Sequence, residues 1–217
     1  MKSPKPFRET VVLAAEDPRA LECAVALLED GQVVAIPTDT VYGLAAIAEN
    51  DDAVSRIFAL KDRPPDRPLP IFPVDCGQAG DVADLGAGGR ALASTFWPGA
   101  LTIVARRAAG FRSAALLGYE TVGLRLPADD FVLALLRRVG RPLAVTSANR
   151  SGAGSVTTAA EVVDRLAGLV PLVVDGGAGS GADSTIIDIT AQPARLLRAG
   201  DVPLDAVRAV LAAAAVR

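Results

Sequence analysis

The sequence has no histidine among its 217 residues. This absence excludes Ser-His-Asp and Cys-His catalysis, and it excludes zinc or iron sites built on imidazole. The charged chemistry of the protein must therefore come from 25 Asp and Glu residues and 22 Lys and Arg residues, which leave a formal net charge of −3.

Cysteine and long hydrophobic runs are also scarce. Cys23 and Cys76 are too few for a disulfide framework and too far apart in the sequence for a metal knuckle. The apolar runs at 131–136 and 211–216 fall well short of the roughly 18 residues that a membrane span needs. The run at 11–15 is too short for the apolar core of a secretory signal. These features indicate a cytoplasmic protein with reduced thiols and no membrane association.

The composition is that of a folded domain. Hydrophobic residues make up 51% of the chain, and the mean hydropathy is +0.35, which excludes disorder. The pI of about 5.1 argues against a surface that coats nucleic acid, although it allows a local basic cavity. Without repeats or a Pro/Ser-rich linker, the length predicts a single domain over 1–217, with residues 1–10 expected to be flexible.

Helical and strand patterns alternate along the chain. Asp17 as N-cap, Pro18 at the first helical position and Gly31 after the last turn delimit the first helix. A second helix is predicted to begin after Asp51 or Asp52 as N-cap and to stop before Pro64, and further helices are predicted at about 91–96, 130–139, 158–166 and from 204 onwards. Strands are predicted at 33–36, 69–72, 101–106, 121–126, 143–147, 172–175, 184–189 and 195–198. The last strands are joined too briefly for parallel crossovers, so we expect an α/β fold with a twisted, mixed sheet flanked by helices.

A first polar segment, residues 37–44 (PTDTVYGL), directly follows a predicted buried strand. Ligands of α/β proteins commonly bind where strands end. The hydroxyls and the carboxylate of this segment could bind a small polar substrate. The alternative, which this segment alone favours, is a turn that satisfies its own backbone.

A second segment, residues 61–69 (KDRPPDRPL), brings three cations together at the end of a predicted helix: Lys61, Arg63 and Arg67. Prolines stiffen the spacing between them, and Arg and Lys both bind phosphate oxygens well. The segment could therefore form a phosphate clamp. The alternative is a solvated helix end whose cations complement the helix dipole.

Two further loops follow predicted strands. Residues 146–152 (TSANRSG) carry hydroxyls and an amide that could hold a phosphate or a carboxylate, or could simply end the strand. Residues 176–182 (GGAGSGA) contain a G-x-G-x-x-A string. A dinucleotide fold needs a helix after this string, whereas 184–189 has a strand pattern, so we reject the Rossmann interpretation. A loop bordering a ligand remains an alternative.

Two arginines interrupt apolar strands. Arg125 lies in VGLRLP and Arg198 in LLRAG. Each could lie on a solvated face of the sheet, as strand alternation suggests for Arg125, or could be held by an anion.

Taken together, the sequence resembles the YrdC-like family. The segments that carry the resemblance occur in the family's order and span residues 37 to 200. They are PTDTVYGL (37–44), KDRPPDRPL (61–69), WPGALT (97–102), VGLRLP (122–127), TSANRSG (146–152), STIID (184–188) and LLRAG (196–200).

The resemblance implies a single-domain YrdC-like fold around a basic ligand cavity. It also implies synthesis of L-threonylcarbamoyl-adenylate from L-threonine, bicarbonate or CO2, and ATP, with release of pyrophosphate. ATP would be a substrate, Mg2+ would accompany it, and no tightly bound cofactor would be needed. The product would supply threonylcarbamoyl-transferase machinery that modifies adenosine 37 of tRNAs. Direct contact of this protein with tRNA stays open.

The resemblance also implies the roles of individual residues. The residues expected on the nucleotide are Lys61, Arg63, Arg67, Thr121, Ser147, Asn149, Ser155 and Arg198. Of these, Lys61 and Arg63 would be catalytic. The residues expected around threonine are Thr40, Phe72, Arg125, Val145 and Ser184, with Arg125 on the carboxylate.

Two departures from the family pattern stand out. Many relatives carry a histidine where this chain has Phe72, which removes a polar donor beside the expected threonine pocket. Longer relatives append a second domain, whereas this chain resembles the short form.

Two competing hypotheses for the function use the same basic residues, Arg150 among them. One is a non-catalytic RNA- or nucleotide-binding protein, and the other is an ATP-dependent carbamoyltransferase with another acceptor.

Overall fold

The eleven strands of the described chain form one sheet. The computed structural model describes residues 9–61, 66–149 and 154–215. The strands are β1 (Val11–Ala14), β2 (Val34–Ile36), β3 (Gly43–Ile47), β4 (Ile71–Phe72), β5 (Ala83–Asp84), β6 (Leu101–Arg107), β7 (Thr121–Leu124), β8 (Leu143–Ser147), β9 (Leu172–Asp175), β10 (Thr185–Asp188) and β11 (Arg195–Arg198). The helices are α1 (Pro18–Glu29), α2 (Asp51–Lys61), α3 (Ala79–Val82), α4 (Gly86–Phe96), α5 (Asp130–Val139), α6 (Ala159–Leu166) and α7 (Leu204–Ala215), with a 3-10 turn at Ala114–Leu116.

The sheet is mixed, as the short C-terminal connections predict. Its order is β1-β9-β2-β3-β8-β4-β7-β6-β10-β11, and β5 pairs with β6 beside this path. β1 and β2 lie parallel to β9, β4 lies parallel to β7, and β6 lies parallel to β10. β10 and β11, which are joined by six residues in the sequence, pair antiparallel. The remaining neighbours are antiparallel too.

Local sequence signals set the helix ends. The Asp17 carboxylate accepts a hydrogen bond from the Arg19 amide at the start of α1, and Gly31 takes a left-handed conformation (φ +72°) after its end. Thr158 and Glu161 form a reciprocal capping box at the start of α6. These ends agree with the predicted ones to within a residue or two.

The core lies between the sheet and its helices. All residues of β2 and β3 are buried, which places these strands in the middle of the sheet. α1 packs against α5, and α4 packs against α7. No helix of the described chain is long and apolar enough to cross a membrane.

The structure corrects several sequence-based boundaries. The strand predicted at 69–72 is only Ile71–Phe72, because the prolines at 68 and 70 have no N–H to donate to a ladder. The strand predicted at 121–126 ends at Leu124. α4 begins at Gly86, five residues before the predicted start, in a glycine-rich stretch whose composition disfavours a helix.

The largest omission is β3. Its sequence, GLAAI, follows the polar turn at once, and the prediction had extended that turn to residue 44. β1 was not predicted either. Residues 1–8 of the segment expected to be flexible lie outside the described residues. The Thr10 hydroxyl donates to the Val170 carbonyl (2.6 Å) and accepts from the Gly168 amide (2.8 Å).

Gly200 holds the end of β11 against the loop before β10. A Cβ at this position would overlap the Asp183 carbonyl oxygen and lie 2.5 Å from backbone atoms of Ser184 and Thr185. We expect Gly200→Ala to lower stability by about 1–3 kcal/mol, the usual cost of overpacking, and to lower Tm by several degrees in calorimetry. Gly154→Ala is the control, because a Cβ there meets no atom of the described residues within 4 Å. Equal Tm values for the two variants would contradict the close approach at Gly200.

Candidate active site

A cavity of about 480 Å³ lies on the sheet face formed by β6, β7 and β10. The turn between β2 and β3, the segment that leads into β4, the end of β8 and strand β11 complete its walls. Its floor is mainly apolar, with Val104, Gly123 and Ile186 exposed to it. Hydroxyls and two arginines surround this floor, so the cavity suits a small ligand with both apolar and anionic parts.

The cavity brings together residues that are far apart in the sequence. The five residues predicted around threonine all line it: Thr40, Phe72, Arg125, Val145 and Ser184. Three of the residues predicted on the nucleotide also line it: Thr121, Ser147 and Arg198. The cavity walls therefore contain most of the predicted set.

The other predicted nucleotide residues are placed differently. Lys61 and Asn149 contact the cavity-lining residue Ser147. Arg67 and Ser155 are exposed and do not appear among the residues that line the described cavity. Arg63 lies outside the described residues, as does Arg150.

Lys61 is the last residue of α2, and its side chain is buried. Its ammonium donates to the carbonyl oxygens of Ser147 and Asn149, and it lies 3.5 Å from the Ser147 Oγ and from the Asn149 Oδ1. The Ser147 hydroxyl donates in turn to Asn149 Oδ1 (2.5 Å). The solvated helix end is therefore wrong for Lys61, which joins the end of α2 to the loop after β8.

Arg125 is also buried, at 6% exposure, so the solvated face suggested by strand alternation is wrong. Its Nε donates to the Gly99 carbonyl (3.0 Å), Nη1 to the Thr40 hydroxyl (2.9 Å) and Nη2 to Asp39 Oδ1 (2.5 Å). Burial lowers the pKa of Arg125, and the Asp39 carboxylate opposes this shift. The turn between β2 and β3 covers this part of the sheet, which strand alternation alone could not reveal.

Arg198 forms a wall of the cavity with Ser184 and Asp183. Its Nε donates to the Ser184 carbonyl (3.0 Å), its Nη2 to the Ser184 hydroxyl (2.9 Å), and its Nη1 lies 3.3 Å from Asp183 Oδ2. The Ser184 hydroxyl lies 2.9 Å from the Thr102 hydroxyl. The arginine side chain remains 41% exposed, so an entering ligand can reach it.

The turn after β2 agrees with both hypotheses for residues 37–44, a turn that satisfies its own backbone and a segment that faces a ligand. The Thr38 hydroxyl donates to the Val41 carbonyl (2.7 Å) and thus stabilises the turn itself. Thr40 faces the cavity and Arg125 instead.

Tyr42, whose role the sequence did not predict, is fully buried, and burial raises its pKa to about 12. Its neutral hydroxyl donates to the Gly177 carbonyl (2.7 Å).

The glycine loop, residues 176–181, packs directly on this turn. The Ser180 amide donates to the Asp39 carbonyl (3.2 Å), and the Gly181 amide donates to the Thr40 carbonyl (2.9 Å). A Cβ on Gly179 would overlap the Thr40 carbonyl oxygen, so only glycine permits the approach. β10 follows the loop, which confirms the rejection of the Rossmann interpretation.

Comparison with known proteins gives the family. Residues 26–200 match the model of the Sua5/YciO/YrdC family, which carries the description "Telomere recombination". The chain belongs to the Sua5/YciO/YrdC family. The resemblance stated from the seven segments is thereby confirmed, and the match covers every one of them.

Relatives within the Sua5/YciO/YrdC family are similar over most of this chain. A threonylcarbamoyl-AMP synthase of Bacillus subtilis is 39% identical over 92% of this chain, and one of Pyrococcus abyssi is 38% identical over 88%. The chain spans only 58% and 57% of these two proteins. A putative threonylcarbamoyl-AMP synthase of Mycobacterium tuberculosis is 36% identical over 89% of both chains.

Solved structures of the Sua5/YciO/YrdC family share this fold. The structure of P. abyssi Sua5 complexed with L-threonine matches 93% of this chain and 61% of its own chain, with 36% identity and a TM-score of 0.88. E. coli YciO matches 90% of this chain and 96% of its own, with a TM-score of 0.80. At 24% identity, YciO supports the fold alone. The predicted mixed α/β architecture is confirmed.

Proposed function

We propose that this protein makes L-threonylcarbamoyl-adenylate from L-threonine, bicarbonate or CO2, and ATP, and releases pyrophosphate. The observation that carries the proposal is a single cavity that combines the buried, hydrogen-bonded Arg125 with the Lys61–Ser147–Asn149 cluster at its edge. The names of the Bacillus, Pyrococcus and Mycobacterium relatives support the same reaction.

The amino-acid end of the cavity surrounds Arg125. The Arg125 guanidinium has five N–H groups, and three of them donate to partners in the described chain. One further N–H group is left for a ligand on Nη1 and one on Nη2. Two N–H groups on a planar guanidinium suit a carboxylate. The hydroxyls of Thr40 and Ser184 lie on the same cavity and can orient a hydroxylated amino acid. The L-threonine bound to the Pyrococcus protein supports this assignment.

The nucleotide end combines Thr121, Ser147 and Arg198 in the cavity wall with Lys61 and Asn149 at its edge. Arg63, Arg67 and Ser155 complete the proposed ATP set, and Phe72 and Val145 complete the threonine set. The apolar floor between the two ends suits a flat nucleobase or a ribose edge.

Mg2+ would be bound by the ATP phosphates, because no cluster of three or more acidic or thiol side chains in the described chain could hold it.

The chemistry needs no protein nucleophile. The amine of threonine attacks CO2 and loses a proton to give a carbamate. A carbamate oxygen then attacks the α-phosphate of ATP, the bond between the α- and β-phosphates breaks, and pyrophosphate leaves. The protein contributes alignment and stabilisation of the phosphate charge, which Lys and Arg supply without histidine.

The RNA-binding hypothesis is less well supported. Among the described residues, Asp39 pairs with Arg125 and Asp183 pairs with Arg198, so these two arginines do not form the extended basic surface that a long RNA chain needs. We therefore propose that the small product passes to threonylcarbamoyl-transferase machinery for tRNA. A cytoplasmic location stays a prediction, and direct tRNA contact stays an open alternative.

Pyrophosphate release from ATP tests the proposal. We expect release only when L-threonine and bicarbonate are both present, and we expect threonylcarbamoyl-adenylate in the products by mass spectrometry. Release with another amine in place of threonine would favour the generic carbamoyltransferase. RNA binding without turnover would favour the non-catalytic hypothesis.

A further inference from the structure

We infer that Asp39 is a positioning residue, which orients the Arg125 guanidinium so that its two remaining N–H groups point at the carboxylate of the amino-acid substrate. The inference rests on the proposed function. It goes further because the proposed function gives Asp39 no role, and the sequence suggested at most a direct contact of its carboxylate with the substrate.

Asp39 holds the arginine from outside the cavity. Its Oδ1 accepts from Arg125 Nη2 at 2.5 Å, and the pair is largely buried, at 7% exposure for the arginine side chain and 18% for the aspartate. Asp39 does not itself line the described cavity, whereas Arg125 and Thr40 do. Its carboxylate therefore acts on a bound substrate through Arg125.

Three acceptors fix the guanidinium plane. The Gly99 carbonyl accepts from Nε, the Thr40 hydroxyl accepts from Nη1, and Asp39 accepts from Nη2. Each nitrogen of the fork thus has one partner, and a planar group held at three nitrogens cannot rotate about its long axis. Asp39 supplies the only carboxylate among these partners, and charged hydrogen bonds are the strongest kind.

The position of Asp39 is itself fixed by the glycine loop. The Ser180 amide donates to the Asp39 carbonyl, and the Gly181 amide donates to the carbonyl of the next residue, Thr40. Gly179 allows this contact because it has no side chain. The glycine loop that the sequence left without a role therefore supports the acceptor that orients Arg125.

The test compares Asp39→Ala with Asp39→Asn. Alanine removes the acceptor, so we expect the Kd and KM for L-threonine to rise about ten- to hundredfold, as for loss of a hydrogen bond to a charged group. Asparagine keeps a carbonyl oxygen at the same place, so we expect it to restore most of the affinity. The KM for ATP should stay unchanged in both variants. If Asp39→Ala fails to fold, Asp39→Ser, which suits a turn but is too short to reach Arg125, replaces it.

Asp188→Ala provides a matched control. Asp188 is another buried carboxylate paired with an arginine, Arg195, and it lies outside the cavity lining. We expect this variant to lower Tm without changing the Kd for threonine, measured by calorimetry. An equal loss of affinity in Asp188→Ala would show general destabilisation and overturn the inference.

Other outcomes separate the inference from the proposed function. If the wild-type protein does not bind threonine, the proposed function fails. If it binds threonine and folded Asp39→Ala or Asp39→Ser binds it equally well, only the positioning role fails. A fall in kcat with an unchanged KM for threonine would place Asp39 at the reacting amine and would also overturn the positioning role.

Discussion

Replacing Lys61 with methionine is expected to lower pyrophosphate release by about a hundred- to a thousandfold, the effect of removing one group that stabilises charge in a transition state. The ammonium bridges two carbonyl oxygens of the loop after β8 and lies within 3.5 Å of the Ser147 and Asn149 side chains. Methionine keeps the length of the side chain and removes its charge and donors. Steady-state pyrophosphate release, with Tm measured alongside, checks the result.

Arg56→Met is the matched control for this experiment. Arg56 lies on the same helix, and its guanidinium also donates to a carbonyl oxygen, that of Gly31 at 2.6 Å, but on the surface away from the cavity. We expect the control to keep full activity. Full activity in folded Lys61→Met would contradict the phosphate clamp.

Helices α1, α5 and α6 were predictable because their signals are local. An N-cap, a proline at the first position and a left-handed glycine act within a few residues, and α1 and α5 follow them closely. β3 was not predictable in the same way. Its five apolar residues directly follow a polar turn, and they form a strand only because β2 and β8 lie on either side of it. The pairing of β3 with β8 joins segments about 100 residues apart, which no local window contains.

The candidate site shows the same difference between local sequence signals and long-range contacts. The residue types that bind anions were visible in the motifs, and the cavity brings most of them together. Their partners were not visible. Asp39 contacts Arg125 across 86 residues of sequence, and Tyr42 contacts Gly177 across 135. Alternation along the predicted strand 121–126 suggested a solvated Arg125, because alternation carries no information on which loop covers the sheet.

Replacing Arg125 with leucine should weaken L-threonine binding by about 2–5 kcal/mol, the cost of removing one partner of a buried, hydrogen-bonded charge pair. In calorimetry this corresponds to a rise in Kd of roughly 30-fold or more. Arg125→Lys separates charge from geometry. A lysine ammonium is a point charge and cannot reproduce a planar fork with three fixed partners, so we expect it to recover little of the affinity.

The double variant Asp39→Ala, Arg125→Leu distinguishes an indirect role of Asp39 from a direct one. If Asp39 acts through Arg125, its removal costs affinity only while the arginine is present, and the double variant should bind threonine as weakly as Arg125→Leu alone. Additive losses would mean that Asp39 meets the substrate independently. ATP binding should persist in every variant, because the hydrogen bonds that join Lys61, Ser147 and Asn149 are separate from those that join Asp39 to Arg125. Loss of ATP binding together with threonine binding would instead indicate collapse of the shared cavity.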